Sequence, residues 1–142
     1  MALPQPDLNF WAVLVAALCN MVLGFSWYGF LFGKAWMKEM GIDKLSKKET
    51  ATMKEKGKKS MWMAAGAALL TTYVMSHFVD YLEAATVSEG LQLGFWLWLG
   101  FVAPIMLGIV LWEGKSWKLY AINVSYWLVV LLIMGSILAV WQ

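Results

Sequence analysis

The sequence predicts an all-α integral membrane protein with four transmembrane helices in an antiparallel bundle, and two observations carry this prediction. Hydrophobic residues make up 61% of the chain and charged residues only 14%, far from the composition of a soluble domain. Four stretches without Lys, Asp or Glu are each long enough to cross roughly 30 Å of hydrocarbon at about 1.5 Å per helical residue. They are residues 8–32, 61–79, 91–112 and 119–141. Because none alternates with period two, helices are favoured over a barrel, within one membrane domain of residues 1–142.

The lysines predict the orientation of these spans. All eleven basic residues are lysines; nine lie between Lys34 and Lys59, and Lys115 and Lys118 lie between the third and fourth spans. By the positive-inside rule, both lysine-bearing loops are cytoplasmic and both termini face out. We therefore expect an N-out, C-out, multi-pass protein of the inner (plasma) membrane.

The helices are expected over about residues 8–32, 47–82, 91–112 and 119–141. The basic cytoplasmic loop between the first two is partly helical, because Ser46 and Glu49 form an S-x-x-E capping box and start the second helix near Lys47, outside the membrane. Lysines of this extension are candidates for binding anionic lipid headgroups, and the alternative is that they only set the topology. These lysines are Lys47, Lys48, Lys54, Lys58 and Lys59.

The first span ends in SWYGFLFGKAWMK, residues 26–38, and this stretch has two interpretations. Aromatic rings and lysines are typical of a membrane edge. At about 1.5 Å per residue, however, Trp27 and Asn123 lie at similar depth, roughly 5 Å inside the inner boundary, and an amide in hydrocarbon seeks a partner. We therefore predict a polar cluster in the inner half, below a kink at Pro104 and opening toward the cytoplasm. Its members are Ser26, Trp27, Tyr28, Asn123 and Tyr126. The alternative is that Asn123 only joins the fourth span to the first.

Two further groups of polar residues lie at the helix ends. Lys34 and Glu113 are a candidate ion pair at the inner end. His77, Asp80 and Glu83 follow one another at i, i+3 and i+6 at the outer end of the second span, where Asp80 is placed to orient the imidazole. The alternative for this outer cluster is an ordinary solvated helix end.

Motifs of soluble enzymes are absent from the sequence. It contains no Walker loop, dinucleotide fingerprint, H-E-x-x-H or G-x-S-x-G, and one His with one Cys does not make a zinc site in a monomer. We expect no enzyme activity, no cofactor and no metal.

Small residues and short repeats point to helix packing. The run AAGAA at residues 64–68 and the G-x-x-x-G of Gly29 and Gly33 let backbones approach closely, either within the chain or between two copies. The AAGAA run predicts self-association. The triplet LGF occurs at residues 23–25 and again at 99–101, which is a faint sign of a duplicated hairpin.

Three phrases of the chain are similar to those of a known family. They are LNFWAVLVAALCNMVLGFSWYGFLFGKAWM, WLGFVAPIMLGIVLWEGKSWKL and INVSYWLVVLLIMGSILAVW. They resemble the domain of unknown function 1761 family, small bacterial four-helix membrane proteins. Members commonly read Trp-Tyr-Ser-Pro where this chain has residues 27–30, and often carry a histidine where Trp127 stands. The resemblance implies the fold and the topology. The family has no established activity, so the resemblance does not indicate one for this chain.

Two functions of different classes are compatible with the sequence. The first is an oligomeric accessory or structural membrane protein, with membrane lipids and further copies of itself as partners and no nucleic acid. The alternative is a small transporter or channel subunit, with a polar path between helices or protomers. The spans contain no Asp, Glu or Lys, which counts against a proton-coupled pump.

Overall fold

The structure, a computed structural model, describes residues 6–141. The predicted all-α class is confirmed, because the described residues form helices and no strand. Four helices are long and apolar enough to cross a membrane, as expected of a multi-pass membrane protein. The helices are α1 (Phe10–Leu31), α2 (Gly33–Glu39), α3 (Lys47–Tyr81), α4 (Val87–Leu111) and α5 (Trp117–Val140). We call the end with the lysine-rich segments the basic end and the opposite end the acidic end.

Side-chain caps set where the helices begin. The capping box of Ser46 and Glu49 starts α3 at Lys47, as predicted. A second capping box, formed by Thr86 and Glu89, starts α4 at Val87, about one turn before the predicted residue 91. The difference arises because Glu89 belongs to the first helical turn, where its carboxylate accepts from the backbone N–H groups of residues 85 and 86.

Two membrane helices contain a π turn, a wider turn closed by an i to i+5 hydrogen bond. In α1 the turn is Trp27–Leu31, and in α4 it is Trp98–Val102. The second precedes Pro104, which has no N–H to donate, and α4 then continues as two short pieces, Ala103–Met106 and Gly108–Leu111. The interruption of α4 therefore lies where the sequence predicts a proline kink.

The hairpin of α4 and α5 is the most tightly packed pair of helices. A Cβ on Gly90 would overlap the carbonyl of Gly135, and one on Gly94 would overlap the carbonyl of Leu131. Glycine at these positions lets the two backbones touch, which strengthens van der Waals packing in a membrane. Gly29, in contrast, faces open space, whereas a Cβ on Gly33 would overlap the backbone carbonyl of Tyr28 in the preceding π turn. The G-x-x-x-G of the sequence therefore serves the turn from α1 to α2 and not a contact between two membrane helices.

The long helix α3 packs on the bundle along only part of its length. Its buried residues, Ala68 to Val79, lie toward the acidic end, whereas residues 51–64 are exposed. With 35 residues, α3 is about 52 Å long at 1.5 Å per residue, so its lysine-rich part extends beyond a hydrocarbon layer of about 30 Å. A gap is left between α3 and the other helices toward the basic end.

Candidate functional site

The gap beside α3 forms a cleft of about 760 Å³, the candidate functional site. The cleft lies between α1, α3 and α5, with Trp36 of α2 and Met106 of α4 at its margins. Toward the acidic end it meets the packed core, where Thr72, Met75 and Met134 have almost no exposed surface. The cleft is thus open in one half of the bundle and closed in the other.

Two reciprocal tyrosine–asparagine pairs cross the wall of the cleft. The hydroxyl of Tyr28 on α1 donates to Asn123 Oδ1 on α5 at 3.0 Å. The hydroxyl of Tyr126 on α5 donates to Asn20 Oδ1 on α1 at 2.6 Å. The two tyrosine rings lie 5.1 Å apart, so the four side chains form one continuous group. Hydrogen bonds between side chains of neighbouring helices thus join α1 to α5.

A glycine makes room for one of these hydroxyls. Gly24 lies one turn beyond Asn20 and one turn before Tyr28 on α1. A Cβ added to Gly24 would stand 3.1 Å from the hydroxyl oxygen of Tyr126, closer than an ordinary contact. Alanine at this position would displace the Tyr126 hydroxyl by a few tenths of an ångström, so glycine gives that hydroxyl the room to reach Asn20.

Trp27 adds a third connection between α1 and α5. Its indole N–H donates to the carbonyl of Ile122 at 3.0 Å. Consecutive residues of an α-helix point about 100° apart, yet Trp27 and Tyr28 both reach α5. Both residues lie in the π turn of α1, and such turns occur frequently at functional sites.

The short helix α2 borders the cleft at the basic end through one residue, Trp36. Trp36 packs edge-on against Tyr28, with 5.6 Å between the ring centroids. Glu39, at the end of α2, accepts a hydrogen bond of 2.5 Å from the hydroxyl of Ser116 and lies 3.8 Å from Lys118 Nζ. These contacts join α2 to the start of α5 and so fix Trp36 at the margin of the cleft.

The structure brings together four of the five residues of the predicted polar cluster. Trp27, Tyr28, Asn123 and Tyr126 meet at the α1–α5 contact, and three of them line the cleft. Ser26 does not join them, because its hydroxyl donates to the carbonyl of Val22 in its own helix at 2.9 Å.

The other predicted groups do not assemble as the spacing suggested. Within the described range, no ion pair joins Lys34 to Glu113; the ion pair at that end is the one between Lys118 and Glu39. In the outer cluster, His77 Nδ1 lies 2.9 Å from the carbonyl of Tyr73, and the imidazole makes edge-on contacts with the rings of Tyr73 and Tyr81 instead of a hydrogen bond with Asp80. Glu83 follows the end of α3 and has a positive φ of 51°. Among residues 6–141, no group of His, Cys, Asp and Glu is placed to hold a metal ion.

Sequence reasoning missed Asn20, Trp36 and Glu39. Asn20 carries the same signal as Asn123, an amide inside an apolar span, and counting depth along α1 as well as α5 would have found it. Trp36 and Glu39 carry no such signal, because the turn of the chain at Phe32 decides where α2 lies.

Comparison with known proteins identifies a family match. A family model described as "Protein of unknown function (DUF1761)" matches residues 11–139. No curated protein and no solved structure matches the chain.

Proposed function

The chain belongs to the DUF1761 family of proteins of unknown function, and we propose that it binds an amphipathic molecule in the cleft, as a small transporter does. The observation that carries this proposal is the cleft of about 760 Å³ beside α3. Sites for small molecules have volumes of roughly 300–1,000 Å³ and are mostly apolar with a few placed polar groups. The cleft has this character, with amides and tyrosine hydroxyls set among methionine, alanine and aromatic side chains.

The one-sided shape of the cleft favours a carrier over a channel. A channel needs a continuous path, whereas the half of the bundle toward the acidic end is packed around Met75, Val130 and Met134. A carrier exposes its site to one side at a time. We propose that the basic end faces the cytoplasm of the plasma membrane, so that the cleft is open to the cytoplasmic half.

The loose half of α3 supplies an element that is able to move. Residues 51–64 are all exposed, and Gly57 in this half weakens the helix by about 1 kcal/mol relative to alanine. Changing the distance between α3 and α5 would widen or close the cleft without unpacking the core.

An oligomeric accessory role is the second proposal, and one observation favours it. Ala64 and Ala67, from the small-residue run expected to drive self-association, line the cleft. Small residues admit a neighbouring helix at close range, so a helix of a second copy is an alternative occupant of the same space.

Native mass spectrometry of the protein released from nanodiscs tests both proposals. A ligand of the cleft is expected as an added mass on the monomer, lost in Ala64→Trp, which fills the cleft, and retained in Met63→Trp. Met63 is a matched control because it precedes Ala64 on α3 and is 77% exposed. A dimer that Ala64→Trp dissociates would favour the accessory role. A bare monomer with no added mass would contradict both.

A further inference from the structure

The two asparagines of the cleft each use their oxygen and leave their nitrogen unused. Asn20 Oδ1 accepts from Tyr126, and Asn123 Oδ1 accepts from Tyr28. Within residues 6–141, neither Asn20 Nδ2 nor Asn123 Nδ2 has a hydrogen-bond partner. Both residues line the cleft.

Asn20 gives the stronger indication of a ligand, because this residue is almost wholly buried. Only 5% of its surface is exposed, and the cleft is the space that it borders. Since no fully enclosed side-chain nitrogen or oxygen among the described residues lacks a partner, the nitrogen of Asn20 keeps a small accessible surface. An acceptor that reaches this amide from the cleft gains a hydrogen bond that no protein group supplies. The tyrosine holds the oxygen side of the amide, which leaves the N–H₂ side for such a group.

The other residues that line the cleft determine whether a charged or a neutral molecule is favoured there. Among the described residues that border the cleft, none is charged. Aromatic rings of Tyr28, Trp36, Tyr126 and Trp127 form much of the wall, and methionines from three helices complete it. A charged molecule would lose its hydration here without gaining an ion pair, so a neutral molecule is favoured.

We infer that the cleft takes a neutral, lipid-soluble molecule whose carbonyl oxygen accepts a hydrogen bond from the Asn20 amide, with Asn123 offering a second donor. A carbonyl fits better than a hydroxyl, because the amide oxygens already accept from tyrosines and the amides offer donors. This inference rests on the proposed function, since it names the chemical class of the ligand of the same cleft.

A photoreactive ketone tests the inference with an internal reference. The probe is 4-decylbenzophenone, whose excited carbonyl abstracts a hydrogen from a nearby C–H bond, after which the two carbon radicals combine. With the full chain in nanodiscs, peptide mass spectrometry compares labelling of Met61, which lines the cleft, with labelling of Met63, which faces away on the same helix. We expect Met61 to be labelled above Met63. An excess of 2-dodecanone should remove this difference, and dodecane at the same membrane concentration should not.

Variants separate the hydrogen bond from general partitioning. Asn20→Leu should lower the Met61 to Met63 ratio about fivefold, the effect of one net hydrogen bond. Tyr126 keeps an acceptor in this variant, because its hydroxyl also lies 3.3 Å from the backbone carbonyl of Asn20. Gln92→Leu, the same loss of an amide on the exposed surface of α4, should leave the ratio unchanged.

The outcomes distinguish failure of the inference from failure of the proposed function. If dodecane competes as well as 2-dodecanone, the carbonyl inference is overturned while binding in the cleft stands. If Met61 is labelled no more than Met63 by any probe, both the inference and the proposed binding function fail. The competition uses the unmodified protein, so the result does not depend on whether Asn20→Leu folds.

Discussion

Trp27 of α1 and Trp98 of α4 make equivalent hydrogen bonds to the backbone of the same helix, α5. The indole N–H of Trp27 donates to the carbonyl of Ile122, and that of Trp98 donates to the carbonyl of Val124, at 3.0 and 2.8 Å. Each tryptophan is the first residue of a π turn, and the turns read WYGFL and WLGFV. The structural repeat is therefore W-x-G-F, which pairs different residues from the LGF repeat seen in the sequence. Helices α1 and α4 are thus joined to α5 in the same way, by a tryptophan that begins a π turn and donates to a backbone carbonyl of α5.

Removing either indole N–H should weaken the attachment of its helix to α5. Trp27→Phe and Trp98→Phe each lose one hydrogen bond, so we expect each to lower the free energy of unfolding by about 1 kcal/mol. Denaturation of the protein in mixed micelles, followed by circular dichroism, measures the effect. Trp112→Phe is the matched control, because Trp112 is 86% exposed and should tolerate the change. Equal stability of all three variants would contradict a structural role for the two bonds.

The pair of Tyr28 and Asn123 should couple two helices without being needed for folding. Asn123→Leu is expected to leave the protein folded in detergent while changing occupancy of the cleft, because the amide borders the cleft. A double-mutant cycle with Tyr28→Phe should give a coupling of about 0.6 kcal/mol, the average for such bonds in membranes. Unfolding of Asn123→Leu in detergent would instead assign this residue a purely structural role.

Close packing of α4 and α5 should make Gly90 intolerant of substitution. Because a Cβ there would overlap the backbone of Gly135, Gly90→Ala must separate the helices, with an expected loss of about 1–3 kcal/mol. Gly66→Ala is the matched control, since no atom lies within 4 Å of its added Cβ. Alanine is the better helix former, so the control should gain up to about 1 kcal/mol. A stable Gly90→Ala protein would be incompatible with the observed helix contact.

The proposed orientation of the bundle rests on the positive-inside rule, and a labelling test checks it. In a Cys19→Ser background, Lys47→Cys should react with a membrane-impermeant maleimide only from the cytoplasmic side, and Ser88→Cys only from outside. Both positions are exposed, so accessibility depends on the side of the membrane and not on burial. Labelling of position 47 in intact cells would reverse the predicted topology.

Much of the candidate site could be predicted because depth in a membrane is nearly a linear function of sequence position. Counting residues from the ends of the spans set Trp27 and Asn123 at one level, and the structure has Trp27 bonded to Ile122, the residue before Asn123. Tyr28 is the residue after Trp27 and so lies near the depth of Asn123, with which it pairs. Ser26 failed to join because depth says nothing about which side of a helix a residue faces.

The sequence by itself determined the four spans and the capping box of Ser46 and Glu49, because hydrophobic length and capping act between residues that are near in the chain. Only the tertiary structure decided where the cleft lies. Gly90 and Gly135 let α4 lie against α5, while the buried residues of α3 begin at Ala68 and continue toward the acidic end. The space beside Asn20 is what remains after these contacts form. Such a space depends on the angles between helices, which arise from the shapes of facing surfaces and not from the order of residues along one chain.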